Sequence, residues 1–161
     1  MSYFEKLGSK IINSREELFR TIARLRFKGA KIVFTNGCFD LLHRGHVDYL
    51  AKAADLGDYM VIGLNSDESV KRLKGPSRPV NDQQSRAMVL AGLSFVSAIV
   101  IFEEDTPYEL IKCVEPDILV KGQDYNVSEI VGADIVNSCG GEVITLPLVQ
   151  GFSTTGILEK I

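Results

Sequence analysis

Residues 31–46 read Lys-Ile-Val-Phe-Thr-Asn-Gly-Cys-Phe-Asp-Leu-Leu-His-Arg-Gly-His, and this stretch decides the fold. The apolar run Lys31 to Phe34 has the Val and Ile content of a buried strand. Gly37 permits a tight turn and a close approach of backbone to ligand. A helix then begins near His46, so free backbone N–H groups and the positive end of the helix dipole face the turn. A strand, a glycine turn and a helix start make an anion site of the kind that binds phosphate. His43 and His46 are the only histidines in the chain, and their spacing puts both on one helical face toward a shared phosphate chain. Gly45 between them leaves room for a nucleotide at the helix start. Two incidental surface histidines are the plain alternative. A metal pair would need a third ligand, and no nearby Glu or Cys cluster supplies one.

Outward from this segment, strands and helices alternate. Residues 31–34, 59–64, 98–102, 118–120 and 142–146 read as five short buried strands, rich in Val and Ile with little polar alternation. Ser14 with Glu17 forms a capping box ahead of Leu18, Phe19, Ile22 and Leu25, and Gly29 stops that helix. Thr106, Pro107 and Glu109 supply an N-cap, a first-turn proline and the box partner. Residues 82–93 and 153–160 also read as helices, and Gly57 closes the one that begins near His46. The expected fold class is α/β, a doubly wound (Rossmann-like) five-stranded parallel sheet in one domain. Its ligands would sit beyond the carboxyl ends of the strands, where the strand order switches. Residues 1–30 form an N-terminal extension and helix, with 1–13 loosely attached, and residues 31–161 form the functional domain.

The composition narrows the function classes. At 161 residues and 45% hydrophobic content, the chain suits one packed domain. A net charge of −3 gives no support for nucleic-acid binding. No apolar run nears the length of about 18 that a membrane span needs, and Met1 to Lys10 lacks a secretory apolar core. Cys38, Cys113 and Cys139 are odd in number and widely spaced, which points to reduced thiols and a cytoplasmic protein.

Three further segments suit phosphate or nucleotide. Lys71, Arg72, Lys74 and Arg78 fall within eight residues free of acids, either an anion site or a solvated basic loop. Gly151-Phe152-Ser153-Thr154-Thr155 offers three hydroxyls at a helix start, where capping alone would also explain them. Lys121-Gly122-Gln123-Asp124-Tyr125 follows the fourth strand and opens on the same sheet edge as the histidine segment. There Lys121 and Asp124 would hold base, ribose or phosphate, or form a plain turn.

The stretch from Phe34 to His46 resembles the HxGH cytidylyltransferase-like nucleotidyltransferases. Asn65-Ser66-Asp67, Lys71 to Gly75, Ser77 to Asn81, Phe102 to Pro107, Lys121 to Tyr125 and Ser153 to Thr155 follow in order. Together they are similar to the adenylyltransferase domain of bacterial heptose-phosphate enzymes, over about residues 31–161. The resemblance implies ATP and D-glycero-β-D-manno-heptose 1-phosphate as small-molecule substrates. Magnesium would accompany ATP, and the products would be ADP-heptose for lipopolysaccharide and pyrophosphate. It also implies a domain often fused to a sugar kinase, so this chain would be a stand-alone version or an excised domain, and it admits a homodimer. Two departures matter. Gln123 stands where the family usually has a second glycine. Leu148 stands where some cytidylyltransferases carry arginine, which weighs against glycerol 3-phosphate as acceptor.

The roles implied follow from the electrostatics. The nucleophile is a phosphate oxygen already ionised at neutral pH, so no general base is needed. Two unit charges at 4 Å repel by about 4 kcal/mol at an effective dielectric near 20, so catalysis must be positioning and charge neutralisation. His43 and His46 would take the ATP phosphates, with Thr35, Asn36, Gly37, Cys38, Phe39, Asp40, Gly45, Lys121, Gly122, Asp124, Ser153, Thr154 and Thr155 around the nucleotide. Lys74 and Arg86 would act on the reacting phosphates, and Lys71, Lys74 and Arg78 would hold the acceptor. Asp40 would assist magnesium or brace its loop. Rival readings are a CTP- or ATP-dependent transferase acting on glycerol 3-phosphate or flavin mononucleotide, and a non-catalytic nucleotide-binding module.

Overall fold

A computed structural model describes all 161 residues. The elements in chain order are α1 (Tyr3–Gly8), β1 (Ile11–Ile12), α2 (Arg15–Phe27), β2 (Ile32–Gly37), α3 (Arg44–Ala54), β3 (Tyr59–Asn65), α4 (Asp67–Lys74) and α5 (Gln83–Ala91). There follow β4 (Ala98–Phe102), α6 (Tyr108–Val114), β5 (Ile118–Gly122), a 3₁₀ turn (Val127–Glu129), α7 (Ala133–Ser138), β6 (Glu142–Leu146) and α8 (Thr154–Leu158).

All strands are parallel, in the order β1-β4-β3-β2-β5-β6. The chain therefore runs from β2 outward through β3 to β4, then returns to the other side of β2 for β5 and β6. That reversal opens a crevice above the carboxyl ends of β2 and β5. The register sets Phe34 opposite Leu119 and Val61, so the histidine loop and the Lys121 segment leave the sheet side by side.

Strand alternation divides the core in two. Ile32, Phe34, Val61, Val100 and Leu119 pack with Leu18 and Ile22 of α2, Leu110, Ile111 and Val114 of α6 and Val136 of α7. Val33, Met60, Ile62, Leu64, Ile99 and Val120 face the opposite way, onto Tyr49, Leu50 and Ala53 of α3 and Ala87, Leu90 and Ala91 of α5. Each fully buried Leu, Ile or Phe contributes about 1.5–3 kcal/mol, so both faces are held firmly and the loops above them are well supported.

The sheet has six strands, not the expected five. The sixth is β1, whose Ile11 and Ile12 pair with Ile99 and Val100. Two residues carry no periodicity, so the strand is invisible to pattern reading. Lys10 fixes it further, since its Nζ donates to the carbonyls of Ala91 and Leu93 at 3.0 and 2.9 Å and closes the end of α5. Part of the segment read as loosely attached is thus an edge strand. Ser14 caps α2, accepting from the Glu17 amide at 3.1 Å, but the Glu17 side chain does not return the bond that the expected capping box requires. At α6 the cap falls on Pro107 rather than Thr106, with no side-chain cap bond. Half of the basic stretch 71–78 is helix and not loop. Lys71, Arg72 and Lys74 form the last turn of α4, where cations suit the dipole.

Candidate active site

A cleft of about 470 Å³ lies at the switch point. Its floor is residues 36–40, one wall is the start of α3, and the rest comes from Lys74, residues 121–125, Leu148, Val149 and residues 152–155. Three loops distant in sequence converge there because each follows, or docks beside, the carboxyl end of a central strand.

The helix α3 starts two residues earlier than expected, so His43 is its N-cap and His46 its third residue. The pair does not stand as two neighbours on a regular helical face. The rings stack, with centroids 3.8 Å apart and planes 20° apart. The His43 amide points at Nδ1 of His46 at 3.4 Å, which makes that nitrogen an acceptor and leaves Nε2 to carry the proton of a neutral ring. Burial first, then the neighbouring His43 and Lys74, lower the His46 pKa to about 4. Burial also lowers that of His43. Nδ1 of His43 and Oδ1 of Asn36 are buried without a partner, so the cleft holds unmet hydrogen-bonding capacity. Beneath the rings, Phe39 meets His46 edge-on at 5.3 Å from a left-handed backbone of φ 44°, a strained conformation for a bulky residue.

Gly45 serves the histidines more than the ligand. A Cβ at this position would come within 3.0 Å of the His43 ring and 3.2 Å of Phe152 Cβ. Its absence lets His43 fold over the helix start and lets residue 152 close against it.

The cations divide sharply. Lys74 and Lys121 line the cleft and make no ion pair. Lys121 Nζ lies 5.3 Å over the Tyr125 ring, and burial lowers its pKa to about 8 against the opposing pull of Asp124. Lys71 lies outside the cleft, bonded to Glu68 at 2.8 Å. Arg78 donates from Nε to Asp40 at 2.7 Å. Arg86 is 2% exposed and lies behind the floor, away from the cleft. Its donors go to the carbonyls of Asn81, Cys38 and Asn65 at 3.0, 2.7 and 2.8 Å and to the Asp67 carboxylate at 2.8 Å. The expectation that Arg86 touches a phosphate is therefore corrected. A guanidinium with these four partners ties the loops after β2 and β3 to the start of α5.

Of the two roles open to Asp40, bracing its loop is the one its hydrogen bonds display. Its carboxylate accepts from Arg78, from the Val80 amide at 2.8 Å and from the Asn81 amide at 3.1 Å. Burial pushes its pKa up, but those amides and the guanidinium outweigh it and hold the group below the usual carboxylate range. It braces the floor. No three His, Cys, Asp or Glu side chains are grouped to hold a metal.

Thr35 is fully buried beneath the cleft, sharing a 2.8 Å hydrogen bond with the Tyr49 hydroxyl. Burial raises the Tyr49 pKa to about 12, so that hydroxyl keeps its proton. Ser153 caps α8, accepting from the Gly156 amide at 2.9 Å, and Thr154 donates to the Leu41 carbonyl at 3.3 Å. These bonds fasten the start of α8 to the loop before α3, so two helix N-termini face one space. Gly122 permits Asp124 to fold back, since a Cβ would lie 2.6 Å from its Oδ1. Tyr49, Tyr125, Leu148, Val149 and Phe152 add an apolar and aromatic wall. Sequence reading gave Tyr49, Val149 and Phe152 no role, although Tyr49 stands three residues beyond His46 and was legible as its helical neighbour.

Residues 34–159 match the family described as cytidylyltransferase-like. The chain belongs to that family. It is a nucleotidyltransferase domain. This cytidylyltransferase-like chain is 56% identical, over 93% of its length, to the bifunctional protein HldE of Syntrophotalea carbinolica, of which it spans 31%. It thus spans about a third of the curated relatives it matches. The crystal structure of a lipopolysaccharide core biosynthesis protein from Thermoplasma volcanium superposes with a TM-score of 0.60 at 29% identity, covering 75% of this chain and 98% of that one. Pantoate-beta-alanine ligase from Francisella tularensis reaches a TM-score of 0.60 at 15% identity, covering 94% of this chain and 78% of that one, and shares the fold alone. No helix is long and apolar enough to cross a membrane.

Proposed function

We propose that this domain transfers the adenylyl group of ATP to D-glycero-β-D-manno-heptose 1-phosphate, giving ADP-heptose and pyrophosphate for lipopolysaccharide synthesis. One observation carries the reading. Three of the segments that resemble the heptose-phosphate adenylyltransferases, the histidine segment, Lys121 to Tyr125 and Ser153 to Thr155, converge with Lys74 on one cleft, around stacked histidines and two lysines that make no ion pair. The likeness to a protein described as acting in lipopolysaccharide core biosynthesis supports the pathway.

The triphosphate tail lies across the N-termini of α3 and α8, taking hydrogen bonds from His43, His46 and the hydroxyls of residues 153–155. The nucleoside rests on the apolar wall, and the acceptor phosphate enters from the Lys74 side. An acceptor phosphate oxygen attacks the α-phosphorus, a new P–O bond forms, and the bond to the bridging oxygen of the β-phosphate breaks. Pyrophosphate departs with that electron pair, and no proton needs to move. Neutral His46 donates to the charge growing on the leaving group, a stabilisation that exists only as that charge develops. Asp40 and Arg86 act at one remove by holding the floor. Magnesium would come with ATP and would supply charge neutralisation on its phosphates. The three free cysteines fit work in the reducing cytoplasm, and the resemblance extends to a homodimer that sedimentation would test.

The test is pyrophosphate release with magnesium, pairing ATP and CTP each with heptose 1-phosphate and glycerol 3-phosphate. Turnover confined to ATP with the heptose phosphate is expected. Turnover with CTP or with glycerol phosphate would overturn the substrate assignment while leaving the histidine roles standing.

A further inference from the structure

The cleft's two unpaired cations approach from opposite sides of β2. Lys74 ends α4 on the β3 side, and Lys121 lies on β5. Lys121 lies against the aromatic wall, its Nζ 5.3 Å over the Tyr125 ring. It stands where that wall gives way to the polar floor, close enough to Cys38 and Asp124 to feel their charge. No carboxylate lies within ion-pair distance, and its Nζ donates to no oxygen of the chain. An ammonium partly shielded from water and without an ion-pair partner is open to an anion that a ligand supplies.

We propose that Lys121 is a catalytic residue of the transfer, the cation that binds the α-phosphate of the nucleotide. The inference rests on the nucleotidyl-transfer reading and assigns one side chain within it. A nucleoside on the apolar wall with its triphosphate tail at the α3 and α8 N-termini must pass its first phosphate across the boundary that Lys121 occupies. There the ammonium donates to a non-bridging oxygen and keeps its proton. It draws off negative charge that would repel the acceptor phosphate arriving beside Lys74. The division of labour is then spatial, with Lys74 serving the incoming phosphate and Lys121 the one under attack.

Burial brings Lys121 down toward neutrality, while the displaced groups around it move away from that range. Burial keeps the Cys38 thiol protonated to higher pH and raises Tyr49 to about 12. His43 and His46 are already neutral. Asp124 faces Lys121 from its own segment and favours the charged form, while α8 contributes only the uncharged residues 153–155 to the cleft. With a pKa of about 8, Lys121 passes from mostly charged near pH 7 to mostly neutral near pH 9.

The experiment measures binding of adenosine, AMP and ATP by calorimetry, from about pH 7 to about pH 9, for the wild type, Lys121→Arg and Lys121→Met. AMP and ATP affinity should fall about tenfold across that range in the wild type, as one lysine loses its charge, while adenosine holds steady. Lys121→Arg, whose charge persists, should bind AMP with no such fall. Lys121→Met should bind AMP weakly at every pH and adenosine as the wild type does. The proposal fails if Lys121→Arg keeps the pH dependence, if adenosine and AMP weaken alike in Lys121→Met, or if AMP binding is unaffected. None of these readouts needs an acceptor, so a mistaken acceptor would surface in the pyrophosphate assay and leave this result to be read separately.

Discussion

His46 illustrates how a side chain's bonds fix its chemistry. Its Nδ1 faces the His43 amide and its pKa is near 4, so at neutral pH it is a donor and not a base. A neutral donor suits the leaving pyrophosphate because its hydrogen bond strengthens as charge arrives. His46→Ala should lower kcat by roughly 10²–10³-fold, as loss of an oxyanion donor does, with much less change in ATP affinity. Single-turnover kinetics beside a binding titration would separate the two, and an unchanged kcat would remove His46 from the mechanism. Gly45 makes a second residue-scale case. A methyl group there collides with the His43 ring at 3.0 Å, while alanine favours a helix over glycine by up to about 1 kcal/mol. Gly45→Ala should therefore lose activity at nearly unchanged stability. Thermal melting would check the second half, and a large drop in melting temperature would mean that the glycine serves the fold.

The elements around the cleft are held by two buried charged groups that sequence reading had placed inside it. Arg86 and Asp40 were legible as charged residues in functional stretches, but a sequence does not display which carbonyls a guanidinium will find. Arg86 spends its donors on the loops after β2 and β3 and on the start of α5, and Asp40 spends its oxygens on residues 78–81. Arg86→Ala would strand three carbonyls and a carboxylate, so a destabilisation of roughly 3–5 kcal/mol is expected in urea unfolding. Arg86→Lys should recover little, because one ammonium cannot reproduce the fork. An Arg86→Ala variant of native stability but no activity would instead restore a direct phosphate role. The longer strands were readable because their Val and Ile runs are buried on both faces. α4 was missed because its Lys and Arg content reads as a loop, although the Ser66 cap and Val70 were there to be seen. The histidine segment, the 121–125 segment and the 153–155 segment were each legible. Their meeting was expected from a shared sheet edge and from the resemblance, but the strand order that produces it is not encoded in local pattern.

At the scale of the whole molecule, the cleft's preference for neutral imidazoles links nucleotide binding to stability. The folded His46 pKa of about 4 lies below its ordinary value of 6.5. Between those values the unfolded chain binds a proton that the folded chain refuses, so stability rises with pH through this window. The contribution is fully present above about pH 6.5 and drains away as pH falls toward 4, with a slope limited to one proton. His43 is shifted in the same direction and adds to the trend. Asp40 acts lower, because its depressed pKa stabilises the fold above the ordinary carboxylate value and fails only as pH drops through the folded one. Urea unfolding at several pH values should thus show stability declining from pH 6.5 downward, and His46→Asn should flatten the upper part of that decline. ATP should flatten it too, in the wild type alone, because bound phosphate favours the protonated ring and raises its pKa toward the unfolded value. A wild-type curve that ATP shifts upward uniformly at every pH would mean that the triphosphate does not touch His46.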